Sequence, residues 1–218
     1  MRWLIALGLL ITGAVAMGQT VDAAAAEAAL AFLADVAAGR AWPAALQDLV
    51  CLPGHQALIA HHRRLDPAFT EATFLQMLLA LQQGEPPPAG SPRLARIHAA
   101  WQRAMEDVPR VQESLRTLSI PLWVDRAVDQ ARRMLPAHAR IETTVYLVLD
   151  GRSPAYTVDS AVVLDILCIP TGVWALGTLA HEFHHLGVQS LLPHSSCGVG
   201  GLCSSIPSPP PCTAWDAR

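Results

Sequence analysis

The pentapeptide His181-Glu182-Phe183-His184-His185 concentrates more reactive side chains than any other stretch of the chain. It fits H-E-x-x-H and lies between Thr178-Leu179-Ala180 and Leu186-Gly187, a run that reads as helix. Residues four apart on an α-helix stand about one turn apart on the same face, so His181 and His185 can offer two imidazole nitrogens to one zinc ion. Glu182, rotated about 100° from His181, falls beside the metal rather than on it, where a carboxylate can take a proton from zinc-bound water. His184 lies about 60° to the other side of His181. Pairing those two would strand Glu182, so His184 reads as a flanking residue.

The helix itself supports that reading. With His181 at 0°, Leu186, Leu179, Phe183 and Leu176 fall between about 140° and 220°, an apolar stripe that can face the core while the histidines face a cleft. Apart from Glu182, the motif and its flanks carry no formal charge, as suits a partly buried metal helix. Thr171 or Gly172 can start it after Pro170, and Gly187 can end it.

A zinc hydrolase site needs three protein ligands and one open position. The pattern H-E-x-x-H-x-x-G-x-x-H is excluded, because Val188 and Leu191 stand where the glycine and third histidine belong. A downstream glutamate is also lacking: Glu182 is the last one, and Asp216 is the only acid after it. His194 is the nearest substitute, ahead of Asp216 or a tail cysteine. From about residue 190 the composition turns to Ser, Pro, Gly and Cys, so 191–218 reads as a disordered tail on a truncated or frame-shifted terminus that lacks its ligand helix.

The elements that must hold this motif are mostly helical. Ala23 to Gly39 is alanine-rich, with Asp22 a candidate N-cap and Gly39 a candidate C-cap. Further helices are predicted at about 43–50, 55–65, 70–83, 93–118 and 121–135, with the 93–118 helix bent or divided at Pro109 and preceded by a Pro-rich loop at 84–92. Thr143 to Leu149, rich in β-branched residues, predicts a strand ending at Asp150-Gly151. Ala155 to Ile169 predicts a second strand, although 161–167 also suits a short helix. A strand beside a zinc helix could pair, along an exposed edge, with an extended peptide.

Residues 1–16, with Arg2, an apolar run and Ala14-Val15-Ala16, read as a cleaved signal peptide, which predicts an exported protein, periplasmic or secreted, with no stable membrane span after cleavage. The remaining 17–190 fits one domain. A net charge of −3 argues against nucleic acid as a partner. His61-His62-Arg63-Arg64 is the densest basic cluster and reads as a solvated helix face, with His55 and Asp66 near enough to make an adventitious metal site conceivable. Cys51 and Cys168 read as buried thiols. Cys197, Cys203 and Cys212 crowd the tail, where a Cys197–Cys203 bridge is possible, at spacings unlike a zinc ribbon.

With these residues placed, the chain resembles a bacterial family of exported, H-E-x-x-H-containing zinc-dependent peptidases over roughly residues 21–190. The specific match is Thr178 to Gly187; Val21 to Arg40 and Arg63-Arg64 with Phe69 to Phe74 are similar helical text. The resemblance implies His181 and His185 as zinc ligands and Glu182 as general base. The downstream glutamate of that family has no counterpart here.

The expectation is therefore a predominantly α-helical α+β fold, a helical N-terminal part with a small sheet packed on the H-E-x-x-H helix. The expected function is an exported glutamate-zincin-like metallopeptidase that hydrolyses peptide or protein substrates and is weakly active or inactive as written. The competing expectation is a non-catalytic exported binding protein or an inactive remnant.

Overall fold

The computed structural model of the chain describes residues 18–42 and 45–192; the segments read as signal peptide and as tail beyond Leu192 lie outside them. Among the described residues there are eight helices and four strands, an α+β fold dominated by helix. In chain order they are β1 (Gln19–Asp22), α1 (Ala24–Ala37), α2 (Leu46–Val50), α3 (Pro53–Leu65), α4 (Glu71–Gln83), α5 (Pro92–Glu106), α6 (Val108–Thr117), α7 (Ile120–Arg132), β2 (Thr143–Val148), β3 (Ala155–Val158), β4 (Ala161–Asp165) and α8 (Gly172–Leu191). None of these helices is long and apolar enough to cross a membrane.

Local chemistry accounts for most boundaries. The N-cap of α1 is Ala23, without a side-chain cap bond, rather than Asp22, whose carboxylate accepts the Ala24 N–H at 2.8 Å from the end of β1; Gly39 (φ +68°), just past the C-cap Ala38, turns the chain through the left-handed region. Ser91 accepts the Leu94 N–H and Pro92 fills the first turn of α5. The predicted break at Pro109 is a real division: Asp107 closes α5 and its side chain accepts the Arg110 N–H to start α6.

The sheet has the order β1-β2-β4-β3. β1, β2 and β4 are parallel, and β3 returns antiparallel to β4 along the edge. Register sorts its two faces. Tyr146, Val163 and Tyr156 line up across β2, β4 and β3, and this face meets α3, where a Cβ on Gly54 would strike Ala25 and approach Tyr146 and Val148. Val145, Val162 and Thr157 line up on the opposite face, which meets α8. The sheet therefore separates α1 and α3 from α8, and the core continues through both sides.

Several expectations need correction. β1 was not foreseen; it is only four residues long and is held as a parallel edge by β2 rather than by any pattern of its own. Residues 161–165 form a strand, not the alternative helix, because Ala161 to Asp165 complete both the β2 and β3 ladders. Gly187 does not end α8, which runs on to Leu191. Instead Gly187 gives Leu135 room: a Cβ there would lie 2.2 Å from the Leu135 Cδ1. Near the other end, a Cβ on Gly172 would lie 2.1 Å from the Trp123 ring. Two glycines thus let α7 and its following turn press against α8.

Candidate metal centre

α8 begins where the Thr171 hydroxyl accepts the Trp174 N–H, and its apolar stripe is buried as the wheel predicts: Leu179 and Phe183 fully, Leu186 nearly so, Leu176 in part. Anchoring that stripe on the sheet turns the opposite side of the helix outward. His181 is exposed there, and His185 and His184 are half-buried.

The His181 and His185 rings stand perpendicular, with centroids 4.5 Å apart and Nε2 atoms 3.0 Å apart. Two imidazoles that hold one zinc at about 2.0–2.1 Å place their nitrogens roughly 3.3–3.4 Å apart when the ligand angle is tetrahedral. The observed pair needs to open by only a few tenths of an ångström, within reach of a small ring rotation. The donors therefore fit a zinc ion, and either nitrogen is a neutral ligand of the right hardness. Among the described residues no third His, Cys, Asp or Glu joins them. His194 and Asp216 lie outside the described residues.

Glu182, between them in sequence, is only 9% exposed. Its Oε2 accepts a hydrogen bond from the Thr157 hydroxyl at 2.8 Å. Thr157 belongs to β3, the strand at the sheet edge, so the carboxylate next to the histidine pair is oriented by the edge strand. Sequence spacing placed Glu182 beside the pair but gave no hint of Thr157, which lies twenty-five positions earlier in a segment whose strand boundaries were ambiguous.

A second polar cluster occupies the α3 side of the sheet. His62, fully buried, meets Asp150 with Nε2 3.0 Å from Oδ1. Asp165 accepts the backbone N–H groups of Asp150 (3.0 Å), Gly151 (2.6 Å) and Leu167 (3.0 Å), and so ties together the turns that follow β2 and β4. Burial, reinforced by the Asp150 charge, holds the Asp165 carboxyl well above its ordinary range, and the same causes push up the Tyr156 phenol. His61 stacks on Tyr156 with centroids 3.8 Å apart, and burial, together with His62 and neighbouring arginines, lowers it to about 3. The solvated-face reading of residues 61–64 is thus overturned for both histidines; only Arg63 and Arg64 are exposed. The adventitious metal grouping is not formed either: Asp66 accepts from the Ser91 hydroxyl, and the His55 Nδ1 meets the Leu49 carbonyl.

The cysteines also differ from expectation. Cys51 is exposed and free, while Cys168 is buried but disulfide-bonded.

Residues 46–199, well over half of the chain, match the family described as "Putative zinc dependent peptidase (DUF5700)". The chain belongs to that family. The matched span takes in Arg63 to Phe74 and the whole of α8, and leaves out the helical text of Val21 to Arg40. No curated protein and no solved structure matches the chain. Membership in a zinc-dependent peptidase family agrees with the convergent histidine pair, and it says nothing of which residues act.

Proposed function

We propose that the chain is an exported zinc-dependent metallopeptidase whose metal is held by His181 and His185, with Glu182 as general base. The observation that carries this is the convergence of the two Nε2 atoms to 3.0 Å on the outer side of α8, one residue from a carboxylate fixed by Thr157. Zinc, when bound, polarises a scissile carbonyl and acidifies water. The protein's part is to hold the two imidazoles with their Nε2 atoms converging and to keep a carboxylate on the adjoining residue. Thr157 engages Oε2 of Glu182, which leaves Oε1 to take a proton from the attacking water and return it to the leaving amine. β3, at the sheet edge and tied to Glu182, supplies main-chain groups along which an extended peptide can lie as an added strand.

A third ligand must come from outside the described residues, with His194 the nearest candidate. Two histidines alone retain zinc weakly, since affinity rises steeply with a third anionic donor. This favours low activity for the chain as written, or the reading of an inactive remnant.

The test is Glu182→Gln assayed on an unstructured protein substrate in zinc-containing buffer, with zinc content measured in parallel. Hydrolysis should vanish while bound zinc stays at the level of the unaltered chain. Full activity in the variant sinks the mechanism, and joint loss of zinc and activity would make Glu182 a ligand. No zinc-dependent hydrolysis by either form supports the remnant.

A further inference from the structure

α8 is held on two flanks and open between them. With His181 at 0°, Glu182, which meets Thr157 of β3, falls at about +100°. Gly187 and Gly172, where Leu135 and Trp123 press in, fall at about −120° and 180°. A strip from about −80° to +80° is left uncovered, with β3 on one side and α7 and its following turn on the other. Val173, Trp174, Gly177, His181, His185 and Val188 all stand on it. The exposures agree: Val173 is 70% exposed, Trp174 46% and Val188 40%.

The strip is apolar where it precedes the pair. Gly177 lies one turn before His181, about 6 Å along the axis, and Trp174 lies almost one turn farther. A Cβ on Gly177 would meet nothing within 4 Å, so the surface between Trp174 and the pair is open. Beyond the pair the exposed residues are Val188, Gln189 and Ser190, smaller and more polar. Membership in a peptidase family supplies the class of molecule that crosses this strip, a polypeptide. In an extended peptide the side chains that face one way recur about every 6.6 Å. One such side chain beside the histidine pair therefore falls over Gly177 and against Trp174.

We propose that Trp174, Val173 and the open surface over Gly177 form a subsite for a bulky apolar side chain of the substrate, next to the scissile bond and on one side of it only. The subsite selects Phe, Leu and similar residues by burying them against the indole, and it carries no formal charge with which to hold a charged side chain. Gly177 sets its depth. The inference rests on the reading of His181 and His185 as the centre of a peptidase site, and it adds to that reading the kind of residue beside which the chain is cut.

Peptide binding tests it without requiring cleavage. The probes are fluorescein-labelled decapeptides identical except for one central residue, Phe, Leu, Gly or Asp, titrated by anisotropy against the full chain carrying Glu182→Gln in zinc-containing buffer. The Phe and Leu peptides should bind at least about fivefold more tightly than the other two. Trp174→Ala should erase that ratio, and Trp174→Phe should restore most of it. Gly177→Leu should weaken the Phe peptide and leave the Gly peptide unchanged. Equal affinities for the four peptides, a ratio untouched by Trp174→Ala, or no peptide binding at all would overturn the subsite. The same peptides offered to the unaltered chain separate the two readings. Discrimination in binding with no hydrolysis keeps the subsite and removes the peptidase, whereas hydrolysis of all four at equal rates keeps the peptidase and removes the subsite.

Discussion

The Thr157 hydroxyl donates to Glu182 Oε2 across 2.8 Å and so fastens the sheet's edge strand to the helix that carries the histidine pair. Since Glu182 is only 9% exposed, losing that donor leaves a carboxylate short of a partner in a poorly hydrated place. Thr157→Val, nearly the same shape, should lower stability by about 1–2 kcal/mol in urea unfolding. Thr157→Ser, which keeps the hydroxyl, should recover most of it. If Val and Ser behave alike, the contact does not contribute in solution.

His181 and His185 act on zinc as a pair, so either one alone should matter. His181→Ala and His185→Ala should each retain clearly less zinc after dialysis than the unaltered chain, whereas His184→Ala should match it. Metal analysis against a mild chelator reads the difference. A zinc content untouched by both substitutions would remove the assignment.

Much of this site was legible in the sequence because helix geometry is local. Four-residue spacing converges His181 and His185, and the stripe Leu176, Leu179, Phe183, Leu186 decides which side faces in. The same holds for the division at Pro109 and the left-handed turn at Gly39 after α1, each set by neighbours a few positions away. What escaped depends on distant partners. Thr157 reaches Glu182 only after β3 is folded onto β4, and His62 becomes buried only because Asp150, 88 positions later, returns beside it. Gly187 reads as a helix stop from sequence, yet the presence of Leu135 makes it a packing site inside the helix.

The two glycines Gly172 and Gly177 on α8 should respond oppositely to the same change. At Gly172 a Cβ would lie 2.1 Å from the Trp123 ring, a rigid neighbour, with the Arg126 guanidinium over that ring. Gly172→Ala should therefore cost about 1–3 kcal/mol through overpacking. Gly177 has open space around it, so Gly177→Ala should stabilise by about 0.5–1 kcal/mol through helix propensity. Thermal or urea unfolding of both variants checks this, and a stabilising Gly172→Ala would show that Trp123 is not packed against the start of α8.

Stability should fall as the solution is acidified below neutrality, and His55 supplies a measurable share. Desolvation lowers His55 to about 4, partly opposed by its bond to the Leu49 carbonyl, while the unfolded chain titrates near 6.5. Between those values the unfolded state binds a proton that the folded state refuses, so the contribution is complete above about pH 6.5 and is lost as pH falls toward about 4. The size is on the order of 3 kcal/mol for a shift of this extent. His61, lowered to about 3, adds loss of the same sign. Asp165 acts in the other direction, because its carboxyl is raised in the folded state and that contribution fades as pH rises through the raised value. The single-residue comparison separates these. His55→Gln can keep a donor toward Leu49 but cannot take a proton, so it should be less stable at pH 7 yet lose less on going to pH 5. Parallel urea curves for the two proteins across that range would mean that His55 is not held neutral by burial.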